Sequence, residues 1–265
     1  MSDVTVTGAM AEPVVVDAEP GLCIDATPGS RGTVVLRHAG PGSVDIAVGD
    51  GADLSVVSLQ ESDADAEHRV AVGRDAHLKH VAVTHGGAQV RVRVGVHYDA
   101  PGGSVELFGL YLTDAGQRHE HHLTVDHDQP KTTSRVDYRG ALRGKRAHSS
   151  WVGDVRIRRE AIGTDTYESN RNLLLTPGCV ADSVPNLEIE TGNIAGAGHS
   201  SATGRFDDEQ LFYLQSRGLP EADARRLIVQ GFLSDVIRRI GVPDIEARLQ
   251  GVIDAELDIR EDKES

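Results

Sequence analysis

Gly49-Asp50-Gly51-Ala52-Asp53-Leu54 and Gly73-Arg74-Asp75-Ala76-His77-Leu78 share a Gly-x-x-Ala-x-Leu frame at an interval of 24 residues. The five-residue step from glycine to leucine returns between Gly102 and Leu107. The first two copies run into short valine- and leucine-rich segments, Leu54-Ser55-Val56-Val57 and Leu78-Lys79-His80-Val81-Ala82-Val83. Short strands and turns recurring every roughly 20–30 residues are what the stacked coils of a β-helix require. One coil alone cannot bury its inner face, so neighbours stack and aliphatic ladders run up the interior. The frame therefore predicts a parallel β-helix, with a β-sandwich as the competing reading of the same strands.

The same texture extends outward, from Val34-Val35-Leu36 through Val90-Arg91-Val92-Arg93-Val94 to about residue 205. Gly, Asp and Pro separate the runs, and no amphipathic helix interrupts them, which excludes a βαβ architecture. Residues 1–32 hold short strand-like runs such as Val14-Val15-Val16 and read as N-terminal strands or linker; 33–205 reads as the β-helix core. After Gly204 the pattern changes. Phe206-Asp207-Asp208-Glu209-Gln210 has the form of a helix start with Asp207 as cap, and Gly218 ends that helix. Pro220-Glu221 opens a second helix with Ala224, Leu227, Ile228, Phe232, Val236 and Ile237 along one face up to Gly241. Pro243 opens a third with Ile245, Leu249, Val252, Ile253 and Leu257. Residues 206–265 thus form a helical C-terminal segment.

Only 4% of residues are aromatic while 29 are glycine, which fits a thin core of Val, Leu, Ile and Ala with many turns. The net charge of −14 excludes general binding to nucleic acid or to anionic membranes, both of which need a basic surface. No stretch approaches the roughly 20 apolar residues that span a bilayer. Met1-Ser2-Asp3 lacks the basic and apolar regions of a secretory signal, and Cys23 and Cys179 form no CxxC pair. A soluble cytoplasmic protein is expected.

There is no GxxxxGK[ST] loop, no GxGxxG after a strand and no GxSxG elbow, so nucleotide hydrolysis and serine-hydrolase chemistry lack local support. His119-Glu120-His121-His122 is not the HExxH of zinc proteases, because Leu123 occupies the position that needs histidine. On a strand His119 and His121 share one face and Glu120 and His122 the other, so three ligands do not converge. A polar strand face is the plainer account. Cys179, in the Pro177-Gly178-Cys179 turn, has no basic neighbour to lower its pKa and reads as a small buried cysteine, as does Cys23. Trp151 and Tyr167 read as packing or interface residues.

The segment from Asp165 to Gly204 is more specific. It holds Ser169-Asn170-Arg171-Asn172-Leu173-Leu174-Leu175, then Pro185-Asn186-Leu187-Glu188-Ile189, then Gly198-His199-Ser200-Ser201-Ala202-Thr203-Gly204 in a glycine-rich turn. Asp208-Glu209-Gln210-Leu211-Phe212-Tyr213-Leu214-Gln215-Ser216-Arg217-Gly218 continues it. These motifs, in this order, resemble the C-terminal core of the SufB/SufD family of the SUF iron–sulfur cluster assembly system. The match covers about residues 130–240 and is weak before about residue 100.

The resemblance implies a right-handed parallel β-helix and a C-terminal helical segment that docks an ABC-type ATPase, SufC. Residues Phe206, Leu211, Phe212, Leu214, Leu227 and Phe232 are the candidates for that docking. It also implies pairing with a SufB-type chain, with a nascent cluster formed transiently near the interface and none bound tightly by one chain. SufB-type chains carry a cysteine at the position aligned with Asn170 and glutamates beside the histidine; here the neighbours of His199 are Gly198 and Ser200. The sequence is therefore most similar to SufD. SufD-type chains carry an N-terminal helical region, whereas strand-like runs begin here almost at once.

His199 is the implied cluster-assembly residue, since imidazole suits iron and exchanges protons near neutral pH. One histidine cannot hold a cluster, so partner thiolates must supply the remaining ligands. Cys179, His119 and His121 are weaker candidates. The chain is expected to be a non-catalytic scaffold subunit, with ATP hydrolysis in the partner. The alternatives are a homodimeric scaffold and a carbohydrate-active β-helix enzyme with two acids roughly 5–10 Å apart.

Overall fold

The structure is a computed structural model that describes residues 3–205 and 208–258. Sixteen strands form two parallel eight-stranded sheets, and the chain alternates between them at every step. One sheet holds β1 Val4–Val6, β3 Leu22–Ala26, β5 Pro41–Val48, β7 Ala64–Val72, β9 Gln89–Tyr98, β11 Arg118–His127, β13 His148–Ile157 and β15 Val180–Ile189. The other holds β2 Val14–Asp17, β4 Arg31–His38, β6 Asp53–Gln60, β8 His77–His85, β10 Ser104–Thr113, β12 Thr133–Leu142, β14 Asp165–Leu174 and β16 Gly196–Arg205. This is the right-handed parallel β-helix. Strands within residues 1–32 are rungs of the same two sheets: β1 pairs β3, and β2 pairs β4.

The Gly-x-x-Ala-x-Leu frame is the turn that joins the sheets. Gly49 donates to Ala26 O at 2.8 Å and Gly73 to Val48 O at 2.8 Å, each bonding to the coil before it. Ala52 and Ala76 then tuck inside, and Leu54 and Leu78 stack in register. In the third coil the register partner of Leu78 is Val105, not Leu107. The Gly102–Leu107 step is therefore displaced by two residues, which keeps the same side chains inward because strand faces alternate with period two.

The coils lengthen along the chain. Val14 aligns with Val34, Asp53 with His77, and Thr133 with Asp165, register offsets of 20, 24 and 32 residues. Strands grow from 3 residues in β1 to 10 from β9 onward. Aliphatic side chains such as Val6, Ile24 and Leu36 fill the narrow coils, while Tyr98, Tyr111, Tyr138 and Trp151, all buried, fill the wide ones. The two middle tyrosines need glycine opposite them. A Cβ on Gly109 would overlap Tyr138, and one on Gly140 would overlap Tyr111.

A second core lies outside the helix of strands. Val35, Val57, Val81, Val83, Phe108 and Leu110 face outward from the sheet that contains β4 to β10 and are buried. They are covered by α2 Glu221–Ile240 and α3 Pro243–Asp258 through Val229, Leu233, Val236, Ile237, Leu249 and Ile253. Each such side chain removed from water contributes about 1.5–3 kcal/mol. Gly241, at φ 70°, ends α2 in the left-handed conformation. α1 Asp208–Ser216 ends before Gly218, at φ 93°.

The buried face of α2 is rotated from the expected one. Ala224, Val236 and Ile237 are buried as the pattern requires, but Val229, Leu233 and Ile240 complete the stripe and Leu227 remains 49% exposed. The stripe 229, 233, 236, 237, 240 keeps the 3.6-residue period over its length, and its partner is the valine surface of the sheet. No helix among the described residues is long and apolar enough to cross a membrane.

Candidate functional site

The two sheets end in β15 and β16, and among the described residues no further strand pairs with either. The wide end of the β-helix is open. Inward-facing Ala181, Ser183, Pro185 and Leu187 on β15 are only half-buried, although the residues paired with them on β13 are buried. Val180, Val184 and Ile189 are exposed on the same strand, and Tyr167 is exposed on β14 of the other sheet.

His199 sits at this end. It lies mid-strand in β16 and not in a turn, a correction to the sequence expectation. Gly196, Gly198 and Gly204 suggested a turn, but each is an ordinary rung of a parallel pairing with β14. The bareness of Gly198 serves proximity instead. At Gly198 a Cβ would press on the Tyr167 ring at 3.2 Å.

The register pairs His199 with Glu168, and the inward alternation of β14 places Thr166, Glu168, Asn170 and Asn172 in the interior. His199 Nδ1 lies 3.8 Å from Glu168 Oε1; the imidazole is 46% exposed and the glutamate side chain 1%. Burial, reinforced by the negative charge of Asp154, pushes the Glu168 carboxyl up to about 8. Sequence reasoning missed Glu168. Its signal was present in the alternation that begins Thr166-x-Glu168-x-Asn170-x-Asn172, which puts four polar residues on one face of a strand whose other face is also polar.

Asn170 is fully buried beside this pair. Its Nδ2 donates to Tyr111 Oη at 2.9 Å, and Tyr111 Oη donates to Asn172 Oδ1 at 2.5 Å. Asn172 Nδ2 closes the ring by donating to Asn170 Oδ1 at 2.8 Å. Every member of this buried network finds partners, so the asparagines specify packing rather than chemistry.

The other candidates lie apart from the open end. His119 and His121 do share a face, and it is the buried interior. His119 Nε2 donates to Gly86 O at 3.1 Å and its Nδ1 accepts from Thr113 Oγ1 at 3.0 Å. Thr84 gives its proton to Gln60, so His121 Nε2 must donate to Thr84 Oγ1 at 3.0 Å. Burial pushes His119 down to about 4 and His121 to about 3, so both are neutral. Cys179 is half-buried in the turn between β14 and β15, its Sγ donating to Gly144 O at 3.4 Å. Cys23 is exposed, because Leu22, Ile24 and Ala26 take the inward positions of β3 and Cys23 the outward one.

The docking candidates separate into two groups. Leu211 is buried and Phe232 half-buried, the latter giving its backbone oxygen to Arg139 Nη1 at 2.6 Å. Leu214 is half-buried, while Phe212, at 72% exposure, faces outward with Tyr213 and Leu227. Tyr213, Leu214 and Ile228 line one shallow surface depression. Phe206 lies outside the described residues.

Acids on the outer faces are tied to arginines one coil away. Arg69 Nε donates to Asp45 at 2.6 Å and Arg91 Nε to Glu120 at 2.8 Å. Among the described residues no group of three His, Cys, Asp or Glu side chains converges on a metal-sized point.

A two-sheet parallel β-helix, open at its wide end and braced by helices along one flank, is the frame in which Glu168 and His199 are set. The chain belongs to the SufBD family: the profile of the SUF system FeS cluster assembly SufBD core domain matches residues 12–232. An iron–sulfur cluster assembly SufBD family protein of Mycobacterium bovis is 52% identical over 245 residues, spanning 87% of this chain and 62% of the relative. The iron–sulfur cluster assembly protein SufD of Escherichia coli is 25% identical over 257 residues, 83% of this chain and 59% of its own length. SufD of Bacillus subtilis is 33% identical over 108 residues, 41% of this chain and 24% of its own. The chain thus spans about three-fifths of the length of the first two relatives.

Proposed function

We propose that this chain is a SufD-type, non-catalytic scaffold subunit of a cytoplasmic SUF complex. It pairs through its open end with a SufB-type chain and binds a SufC-type ABC ATPase through the outward side of its helices. The observation that carries this reading is the unpaired pair of edge strands, β15 and β16, with His199 half-exposed on the inner face of the last rung. Unpaired strand edges are templates for another chain, and a partner laid across them brings its own ligands beside His199. The SufD names of the relatives and the asparagine at position 170 support the SufD-type assignment. The cluster is cargo: His199 contributes to its assembly, and partner thiolates supply the other ligands.

The apolar side chains left outside the helix–sheet core, Phe212, Tyr213 and Leu227, support ATPase docking on α1 and α2. Removing the whole helical segment is a poor test, since it would bare the valine surface under α2 and α3. Co-purification with untagged SufB-type and SufC-type subunits is the direct experiment, with Ser201→Arg as the probe of the end face. Ser201 is exposed, so the fold should persist while SufB-type pairing is lost. Undiminished pairing, or a stable homodimer that excludes the SufB-type chain, would overturn the reading.

A further inference from the structure

Directly beneath His199 lies an acid with nothing to bond to. Neither carboxylate oxygen of Glu168 has a hydrogen-bond partner, and the side chain is 1% exposed. Buried polar groups are almost always paired, so an orphaned carboxyl marks a place where a partner is to be engaged. The space for it is built. A Cβ on Gly153 of β13 would overlap both Glu168 Oε2 and the Trp151 ring, so the bare backbone there admits the carboxyl and the indole together. The parallel register of β14 and β16 holds Glu168 and His199 as direct neighbours on the inner face. Of the two imidazole nitrogens it is Nδ1 that faces the acid, at 3.8 Å, about 1 Å beyond a charge-assisted hydrogen bond.

We infer that Glu168 is the positioning partner of His199: its carboxyl, through the carbonyl oxygen when neutral and either oxygen when ionised, accepts the Nδ1–H and so fixes the tautomer that presents Nε2 at the open end as a ligand for a borderline divalent cation of the ferrous class. This rests on the reading that His199 serves cluster assembly and names the residue that orients it. Metal-binding histidines donate their second nitrogen to a carboxylate for the same reason, since the bond sets ring orientation and raises ligand basicity. The pair supplies one ligand atom, and water or a partner chain completes the coordination.

The test uses Co2+ on the isolated full chain, read by visible absorbance and by quenching of Trp151, the single tryptophan. Wild type should bind one Co2+, His199→Ala should lose it, and Glu168→Leu should weaken it about 10- to 100-fold. Glu168→Gln, whose amide oxygen still accepts from Nδ1, should fall between. Nitrogen-15 spectra should show His199 protonated on Nδ1 in wild type and shifted towards the Nε2–H form in Glu168→Leu, a change that packing alone does not produce. No Co2+ binding by wild type, equal binding by His199→Ala, or an unaltered tautomer and affinity in Glu168→Leu each overturns the inference. A cluster yield that falls in His199→Ala while Glu168→Leu binds Co2+ normally removes this inference and leaves the proposed function. An unaffected yield with Co2+ held by the pair does the reverse.

Discussion

His68 Nδ1 lies 2.8 Å from His80 Nε2, and both rings are completely buried. His38 extends the chain, its Nε2 3.0 Å from His68 Nε2, so three imidazoles run in sequence through the aliphatic coils. Burial holds His38 and His80 at about 4, and pushes His68 well below its usual range with help from the two neighbouring rings.

These rings stay neutral in the fold while the unfolded chain protonates its histidines near 6.5. The unfolded state then binds more protons, so stability is complete above about 6.5 and is lost as pH falls towards 4. His119, His121 and His127 act in the same direction. Urea unfolding should show a loss of about 3 kcal/mol or more between pH 7 and pH 5. A flat profile across that window would refute the neutral triad.

Glu168 titrates with the opposite sign. The unfolded glutamate ionises from about 4.5, whereas burial keeps the native one protonated to about 8, so this residue costs stability progressively as pH rises between them. Glu168→Gln should match wild type at pH 4 and exceed it by about 4 kcal/mol at pH 8. An advantage that is the same at both pH values would mean that something other than the charge is responsible.

Tyr111 and Tyr138 occupy space that glycine vacates. Gly140→Val and Gly109→Val should each cost at least about 1–3 kcal/mol, because each new side chain would overlap a ring that is itself fully buried. Gly204→Val, where a Cβ meets nothing within 4 Å, is the control and should leave the melting temperature nearly unchanged. Equal melting temperatures for all three variants would contradict the packing described.

On the helices, burial separates structure from recognition. Leu233→Ala, in the core against the sheet, should cost about 2–5 kcal/mol. Phe212→Ser and Leu227→Ser should alter stability little and abolish SufC-type binding in a pull-down. Retained binding by the double variant would move the docking surface elsewhere.

Much of this architecture is legible in the sequence, and the gaps have physical causes. The turn frame is visible where successive offsets are nearly constant, at 22 and 24 residues, and fades as they pass 27 towards 32. Runs such as Val34-Val35-Leu36 carry more than was read from them. Consecutive apolar residues mark a strand covered on both faces, which here means the helices lie against the outer side of that sheet. His119 and His121 read as a polar strand face and no more, because alternation reveals which residues share a face but not which face is inside. In the wide coils the inside is itself polar. Glu168 stayed hidden for the same reason, and the strand that carries His199 read as a turn because glycine signals a turn even where it is spacing for a neighbour.

The lengthening of the coils gives the stack a direction. A cylinder of equal coils tolerates duplication or loss of one coil anywhere, since every neighbour fits every other. A stack that widens from three-residue to ten-residue strands does not: a copy of the Asp53 coil placed after the Thr133 coil would leave strand ends and interior rings without counterparts. Change in coil number is then tolerated only at the ends. The wide end is where any addition must match ten-residue strands and a polar interior, so that terminus alone offers a full-width seat for a further layer, from this chain or another.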